Sequence, residues 1–260
     1  MRILFVGDIV GSCGRRCVRE LVPELRSRLA ADVVVANAEN AAAGLGVTER
    51  TARELFDAGC DVLTLGNHAF RRPESYDFLD SEERIVRPAN FPRGSPGRGH
   101  AVVAVGEERL AVLNLCGTVF LEAARSPFAE VDSLIAQLRD QGVRHLLVDF
   151  HAEATSEKVA FGWYVDGRVS ACLGTHTHVQ TADERVLPAG TAYITDVGMT
   201  GGRGGVIGVR REPALERFLR MTYARFEPTD EDPWLHGVLV ETKGDGRARS
   251  IERVAAPLAT

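Results

Sequence analysis

The feature that most restricts the fold is a unit repeated in the N-terminal part: a short apolar run, a polar strand end and then a helical pattern. Largely apolar runs over residues 3–6, 33–35 and 60–65 are typical of strands buried on both faces. The side chains that follow these runs are polar: Asp8, Glu39, Asn40, Asn67 and His68. Repeated strand–helix units predict an α/β fold with parallel strands, and ligands of such folds bind beyond the carboxyl ends of the strands.

The rest of the chain is richer in strands than a simple alternating fold. A hairpin is predicted over residues 100–105 and 110–115, and a strand over residues 143–150 ends at His151. Antiparallel strands are predicted over residues 221–254. We therefore expect a sandwich of two sheets flanked by helices instead of a single doubly wound sheet.

Several local features predict where elements begin and end. Residues 11–14 are expected to form a turn before the first helix, and Pro23 is expected to kink or break that helix. Thr48 is a candidate N-cap, because a threonine side chain can accept the free N–H groups of a helix start. Residues 198–208 are expected to form a glycine-rich loop.

Two further candidate ligands lie in the segment Gly174-Thr175-His176-Thr177-His178, directly after an apolar run. In an extended or sharply turning backbone, alternate side chains point the same way, so His176 and His178 could both face one metal ion. A lone pair of histidines is weak evidence, because either ring could equally meet water or a backbone carbonyl. The positions of the other polar groups decide between these interpretations.

Composition excludes several classes of protein. The 260 residues carry a formal net charge of −5, which argues against a general nucleic-acid binder. The five cysteines form no Cys-x-x-Cys pair, which indicates reduced thiols and a cytoplasmic protein. No apolar run approaches the ~18 residues of a membrane span, and no signal-peptide pattern is present. We expect one soluble domain over residues 1–260.

The candidate ligands together suit a pair of metal ions. They combine carboxylate, amide and imidazole groups, and such a mixture favours first-row divalent ions such as iron, manganese, zinc or cobalt. Leaving His68 aside, the set has more members than one tetrahedral ion can bind: Asp8, Glu39, Asn40, Asn67, His151, His176 and His178. Two ions that share a bridging carboxylate would use them all, and Glu39 is the candidate bridge. Each residue alone also has a structural interpretation: Asp8 as a helix cap, Asn67 in a turn, His68 in the core.

These motifs resemble the calcineurin-like metallophosphoesterases, in Gly66-Asn67-His68 and in His176-Thr177-His178. The chain is most similar to their bacterial YmdB-type branch, and the similarity covers nearly the whole sequence. The matching segments are Gly7-Asp8-Ile9-Val10-Gly11, Asn40-Ala41-Ala42, Arg87-Pro88-Ala89-Asn90-Phe91-Pro92, residues 150–158, residues 174–183 and residues 193–199. Three positions depart from the wider superfamily: Val10 replaces a ligand histidine, Glu39 replaces a bridging aspartate, and Ala69 replaces an acid.

The resemblance implies a four-layer αββα metallophosphoesterase fold and two divalent ions, with iron preferred over manganese or zinc. One ion would take Asp8, Glu39, Asn40 and His178, and the other Glu39, Asn67, His151 and His176. A bridging hydroxide would attack a phosphodiester, most specifically a 2′,3′-cyclic nucleotide at its 2′ bond, with His68 as the proton donor. What orients His68 without an acid at Ala69 is left open.

Alternatives stay open at this point. The chain could be a metal-containing regulatory or scaffold protein that binds RNA or a partner, or a phosphomonoesterase or nuclease that uses the same residues. RNA is a further candidate partner beside a small phosphodiester, and self-association is also open. The Pro-rich segment 87–91 could cover the site or be purely structural, and Arg203 is a weaker candidate for a phosphate contact.

Overall fold

The computed structural model describes residues 1–123 and 125–259. The helices are α1 (Gly11–Arg28), α2 (Glu49–Asp57), α3 (Tyr76–Ser81), α4 (Pro127–Asp140), α5 (Thr155–Tyr164) and α6 (Arg211–Arg220), with a 3-10 turn at Pro73–Ser75. The strands are β1 (Arg2–Val6), β2 (Asp8–Ile9), β3 (Val33–Asn37), β4 (Val62–Thr64), β5 (Ile85–Val86), β6 (His100–Val105), β7 (Glu108–Cys116), β8 (His145–His151), β9 (Ala171–Thr175), β10 (Arg185–Val186), β11 (Ala192–Ile194), β12 (Met199–Gly202), β13 (Pro233–Thr242) and β14 (Ala248–Pro257).

The described strands form two sheets. In the first, the order is β2-β12-β13-β1-β3-β4-β5, with β14 paired to β13. Strands β1, β3, β4 and β5 are parallel, and β13 runs antiparallel to β1. The second sheet has the order β10-β11-β9-β8-β7-β6, with a parallel centre and antiparallel edges. The parallel strands of both sheets therefore end at defined edges where polar side chains can gather.

Alternation along β1 shows how the layers form. Ile3 and Phe5 point between the two sheets and pack with residues of β8, β9 and β11. Leu4 and Val6 point the other way and pack under α1 and α2. A third buried cluster packs α4 and α5 on the outer face of the second sheet. Two sheets with helices on both outer faces confirm the predicted fold class.

The predicted turn at residues 11–14 is wrong, because α1 already begins at Gly11. Gly14 serves close packing: a Cβ there would overlap the carbonyl oxygen of Thr200, which lies on β12. Of the kink or break expected at Pro23, the break does not occur, since α1 continues to Arg28. Pro23 lies on the exposed face of α1, and the buried face on either side of it packs on the sheet.

The predicted glycine-rich loop at residues 198–208 is only partly right. It contains β12, which pairs with β13 and β2 inside the first sheet. Arg203 lies just beyond it and bonds to Asp232 at 2.8 Å, with its guanidinium 4.0 Å from the ring centroid of Trp234. These contacts occupy Arg203 in the fold.

Other predicted features are confirmed. The Thr48 side chain accepts the backbone N–H of Thr51, as expected of an N-cap. Strands β6 and β7 form the predicted hairpin. The antiparallel strands predicted over residues 221–254 are confirmed as β13 and β14, but they begin only at Pro233. Among the described residues, no helix combines the length and apolar character that crossing a membrane requires.

Candidate metal centre

The structure brings the predicted site residues of both sheets to one place. From the first sheet come five of them, at or just after strand ends: Asp8, Glu39, Asn40, Asn67 and His68. From the second sheet come His151 at the end of β8, and His176 and His178 just after β9. The site therefore lies where the carboxyl ends of parallel strands from two sheets meet, as strand polarity predicts.

Glu39 stands at the centre of one half of the site. Its Oε1 lies 3.2 Å from His151 Nε2, which is 2.9 Å from Asn67 Oδ1 and 3.0 Å from His176 Nδ1. Ligand atoms of Glu39, His151 and His176 all lie within 4.8 Å of one another. These distances are compatible with one ion that all four residues share.

Asp8, Asn40 and His178 form the other half. The Asp8 Oδ1 to His178 Nε2 distance is 3.8 Å, and the Asn40 side-chain amide lies 3.3 Å from the same ring nitrogen. The two atoms of the Asn40 amide face different rings: Nδ2 faces His178, and Oδ1 lies 2.8 Å from His68 Nδ1. The two halves meet at Glu39, which adjoins Asn40 in the chain.

Each of the three imidazoles has one nitrogen fixed outside the site. His178 Nδ1 donates to the carbonyl oxygen of Ile207 at 2.9 Å, and His176 Nε2 lies 2.8 Å from the Glu153 carboxylate. Because a carbonyl and a carboxylate only accept, these nitrogens carry the protons. The opposite nitrogen of each ring is then unprotonated and faces the site, as a metal ligand requires.

His151 is fixed in the same way by a chain of two hydrogen bonds. The Thr175 hydroxyl donates to Asp149 Oδ1 at 2.6 Å and lies 2.9 Å from His151 Nδ1. A hydroxyl has one proton, so Thr175 must accept from His151 Nδ1. His151 Nδ1 therefore keeps its proton, and Nε2, which faces Glu39 and Asn67, is the nitrogen on which a metal ion would replace a proton.

The backbone around the histidines is strained and tightly held. His176 and His178 have φ values of 97° and 67°, which non-glycine residues seldom adopt. The buried Asp196 accepts the Thr177 N–H and hydroxyl between them, and Lys158 Nζ lies 2.8 Å from the same carboxylate. Gly66 is needed close by, because a Cβ there would overlap the side chains of Glu39 and His151.

The buried oxygens of the site fit a cation. Asp8 and Glu39 are fully buried. Asp8 Oδ1 accepts no hydrogen bond from any described residue, and Glu39 Oε1 lies 3.1 Å from His68 Nδ1 and 3.2 Å from His151 Nε2. Burial raises the pKa of Asp8 above its ordinary value. Burial would lower the pKa of His151, but Glu39, Asp8 and Asp149 outweigh it and raise that pKa to about 9. The site thus stabilises added positive charge, and its oxygen and nitrogen donors suit divalent metal ions.

His68 is oriented without an acid at the next position. Its Nδ1 lies 2.8 Å from Asn40 Oδ1 and 3.1 Å from Glu39 Oε1, and its backbone N–H donates to Glu39 Oε2. Ala69 is fully buried in the core beneath α1 and α2, where an acid would be desolvated. Two predicted ligands therefore take over the orienting role.

Sequence reasoning missed the residues that hold the ligands. These residues are Asp149 within β8, Thr175 at the last position of β9 and Glu153 shortly after β8. The predicted strands of the sequence do not end directly before any of them. Asp149 also accepts hydrogen bonds from Asn37 and Thr64, and burial raises its pKa to about 6. The available signal was a lone acid inside the apolar run of β8.

The Pro-rich segment 87–91 is part of the packing. Phe91 is buried, with its ring centroid 5.7 Å from that of Phe70. The Arg87 guanidinium donates to the carbonyl oxygen of Pro88 within its own loop. Of the two interpretations of this segment, the structure favours the structural one.

Comparison with known proteins gives matches over nearly the whole chain. A family model described as YmdB-like protein matches residues 4–254. The 2′,3′-cyclic-nucleotide 2′-phosphodiesterase of Bacillus subtilis (strain 168) is 48% identical over 255 residues, which cover 98% of this chain and 96% of that protein. A solved structure of a hypothetical protein from Thermus thermophilus is 42% identical, with a TM-score of 0.93 and 99% of each chain covered. A novel phosphatase from Mycoplasma pneumoniae is 33% identical, with a TM-score of 0.92, and the match covers 99% of this chain and 93% of that one.

Proposed function

The chain belongs to the YmdB-like protein family, and we propose that it is a metal-dependent phosphodiesterase that hydrolyses 2′,3′-cyclic nucleotides at the 2′ bond. The observation that carries this proposal is that seven side chains with oxygen or nitrogen donors meet from two sheets around the buried carboxylates of Asp8 and Glu39, and that Asp8 Oδ1 accepts no hydrogen bond from a described residue. A scaffold protein has no physical need for such a cluster, because buried carboxylates without partners destabilise a fold.

We propose two divalent ions, with iron preferred over manganese or zinc. The first would be held by Asp8, Glu39, Asn40 and His178, and the second by Glu39, Asn67, His151 and His176. When bound, such a pair polarises the phosphoryl group and lowers the pKa of a water molecule. The mixture of imidazole, amide and carboxylate supports a first-row ion, and the preference for iron comes from the family resemblance.

His68 is the residue we assign to proton transfer. Its Nδ1 is directed at Asn40 Oδ1 and Glu39 Oε1, both acceptors, so Nδ1 carries a proton and Nε2 is the nitrogen left for substrate. His68 is partly exposed and lines the pocket beside the ligands. As water adds to phosphorus and the P–O2′ bond breaks, an imidazolium Nε2–H would donate its proton to the departing 2′ oxygen, which leaves a 3′-nucleotide.

His68→Gln tests this role. We expect kcat for 2′,3′-cyclic AMP to fall about 10²- to 10³-fold, the usual contribution of a general acid, while metal content by elemental analysis stays at the wild-type level. Bis-p-nitrophenyl phosphate should lose far less, because its leaving group needs no proton. His100→Gln, on the edge strand β6, is the matched control. Equal losses on both substrates would contradict the assignment.

The preferred substrate is a small diester, and a substrate panel separates the alternatives. One pocket beside the ligands has a volume of about 250 Å³, and a second, which includes Asn67, has about 550 Å³; both volumes suit a small molecule. We expect small diesters to be turned over faster than monoesters and faster than short RNA, and comparable turnover of p-nitrophenyl phosphate would exclude this preference.

The scaffold alternative has its own test. An Asn67→Ala protein that loses hydrolysis but keeps its cellular effect would support that alternative. Cytoplasmic location is part of the proposal, because all five cysteines are free thiols.

A further inference from the structure

An apolar pocket opens directly beside the candidate metal centre. It has a volume of about 250 Å³ and includes Asn40, His68 and His178 in its lining. Away from these ligands the lining is apolar: Val10, Leu45, Ile207, Val209, Phe226 and Pro228, with one alanine and one glycine. A molecule bound at the metals would therefore have an apolar surface within its reach.

Three of these side chains are partly exposed to solvent. Leu45 is 48% exposed, Ile207 53% and Phe226 41%. We call these three residues the apolar wall. Contact of these apolar side chains with water is unfavourable, and a ligand that buries their surface gains binding free energy.

Ile207 carries the strongest local evidence. Its φ is +46°, a left-handed conformation in which a β-branched residue is strained. The backbone alone does the structural work there, because its carbonyl oxygen accepts from His178 Nδ1 at 2.9 Å. A glycine would supply the same carbonyl without strain. Neither the backbone conformation nor core packing explains why an isoleucine side chain occupies this position. We take contact with a ligand as the reason.

We infer that the apolar wall binds the nucleobase of the substrate. This inference rests on the proposed function, because it takes the cyclic phosphate to be bound at the metals. An aromatic ring and two branched aliphatic chains suit the face of a planar base, which is apolar in all four nucleotides. The wall has no side-chain donor or acceptor that could read a base edge. All four bases are therefore accepted, with purines favoured because they cover more apolar surface.

Binding of the reaction product tests the wall without any turnover. Isothermal titration calorimetry compares 3′-AMP with ribose 3-phosphate, which has the same phosphate and sugar but no base. We expect the wild-type protein to bind 3′-AMP at least tenfold more tightly. Phe226→Ala should weaken 3′-AMP binding by about tenfold, the effect of losing one base–aromatic stack, and lower the ratio of the two affinities by the same factor. Phe218→Ala removes an exposed aromatic ring that does not line the pocket and is the matched control.

Ile207→Gly separates stability from base binding, because the two should change differently. Glycine relieves the strained backbone, so the thermal midpoint should not fall, whereas the 3′-AMP to ribose 3-phosphate ratio should fall several-fold. A variant that loses stability and keeps the wild-type ratio would show that the side chain is structural and would overturn the inference.

Kinetics separates this inference from the proposed function. The specificity ratio is kcat/KM for 2′,3′-cyclic AMP divided by kcat/KM for methyl ribofuranoside 2,3-cyclic phosphate, and it should fall in Phe226→Ala. If the wild-type enzyme hydrolyses neither compound, the proposed function fails, while calorimetry still decides whether the wall binds a base. Equal losses on both compounds, or a change in oligomeric mass at an unchanged ratio, would overturn the base assignment and indicate a packing or subunit-contact surface.

Discussion

At the scale of single residues, each metal-facing nitrogen depends on a partner on the far side of its ring. Thr175 shows this most clearly, because its single hydroxyl proton goes to Asp149 and leaves only acceptor capacity for His151. That arrangement fixes the tautomer in which His151 Nε2 can bind a metal. A hydroxyl that is not itself a candidate ligand thereby controls one of the ligands.

Thr175→Val removes this control and keeps the shape of the side chain. His151 would then lose its Nδ1 acceptor and sample the unproductive tautomer, so we expect metal affinity and kcat/KM each to fall about 10- to 100-fold. Metal affinity is measured by competition with a chelator of known affinity. Thr242→Val is the matched control, because Thr242 makes a similar buried contact with His145 Nδ1 at 3.0 Å, at the other end of β8. A Thr175→Val protein with wild-type affinity would contradict the relay.

The difference between ligands and partners explains how far the site could be predicted. Groups such as Asp8 and His151 fall where apolar runs stop, so strand polarity places each of them at the carboxyl edge of its sheet. Asp149 lies inside β8 and Thr175 ends β9, and their roles depend on contact between these two strands, whose pairing the sequence does not state. The sequence shows which polar groups these residues carry, but it does not show which residues they contact in the fold.

At the scale of elements, a buried ion pair between α5 and the segment after β11 supports the turn that carries His176 and His178. Lys158 is 1% exposed and Asp196 fully buried, with Nζ and Oδ2 2.8 Å apart. Asp196 also accepts from the Thr177 backbone and hydroxyl and, through Oδ1, from Gly198 N–H. The carboxylate thus ties the strained histidine turn to the β11–β12 connection.

Lys158→Met leaves that carboxylate buried without its cation. We expect the free energy of unfolding to fall by about 3–5 kcal/mol, the usual cost of breaking a buried pair from one side. Urea denaturation followed by circular dichroism measures it. Arg28→Met is the control: its pair with Glu24 is exposed on α1, so the loss should stay below about 1 kcal/mol. A loss this small for Lys158→Met would mean that Asp196 is satisfied by its N–H and hydroxyl donors alone.

Element boundaries show where sequence patterns stop being sufficient. Strand-forming runs separated by short glycine-containing turns predict the β6–β7 hairpin and the antiparallel β13–β14 pair. Local rules failed for the break expected at Pro23 and for β12, where tertiary packing overrides local preference. Helix α1 tolerates the missing N–H because its buried face is held by the sheet, and β12 is stabilised by pairing with β13.

At the scale of the whole molecule, the candidate metal centre joins the two sheets. Asp8, Glu39 and Asn67 come from one sheet, and His151 and His176 from the other. Ions bound between them would link the two halves of the sandwich by bonds that exist only in the folded state. Metal binding should therefore act on global stability as well as on activity.

Metal removal and a single ligand substitution test this link together. At a free metal concentration about 1,000 times Kd, binding stabilises the fold by about 4 kcal/mol, or a Tm increase of roughly 10 °C for a chain of this size. In chelator-treated protein, Asp8→Asn should match or exceed the wild-type Tm, because it removes a fully buried carboxylate whose Oδ1 accepts no hydrogen bond from a described residue. After metal is added, the order should reverse, since the variant lacks one ligand and gains less. Differential scanning calorimetry of both proteins, with and without Mn²⁺, measures the crossing. If Asp8→Asn is less stable than wild type in both states by the same amount, Asp8 serves the fold instead of a metal.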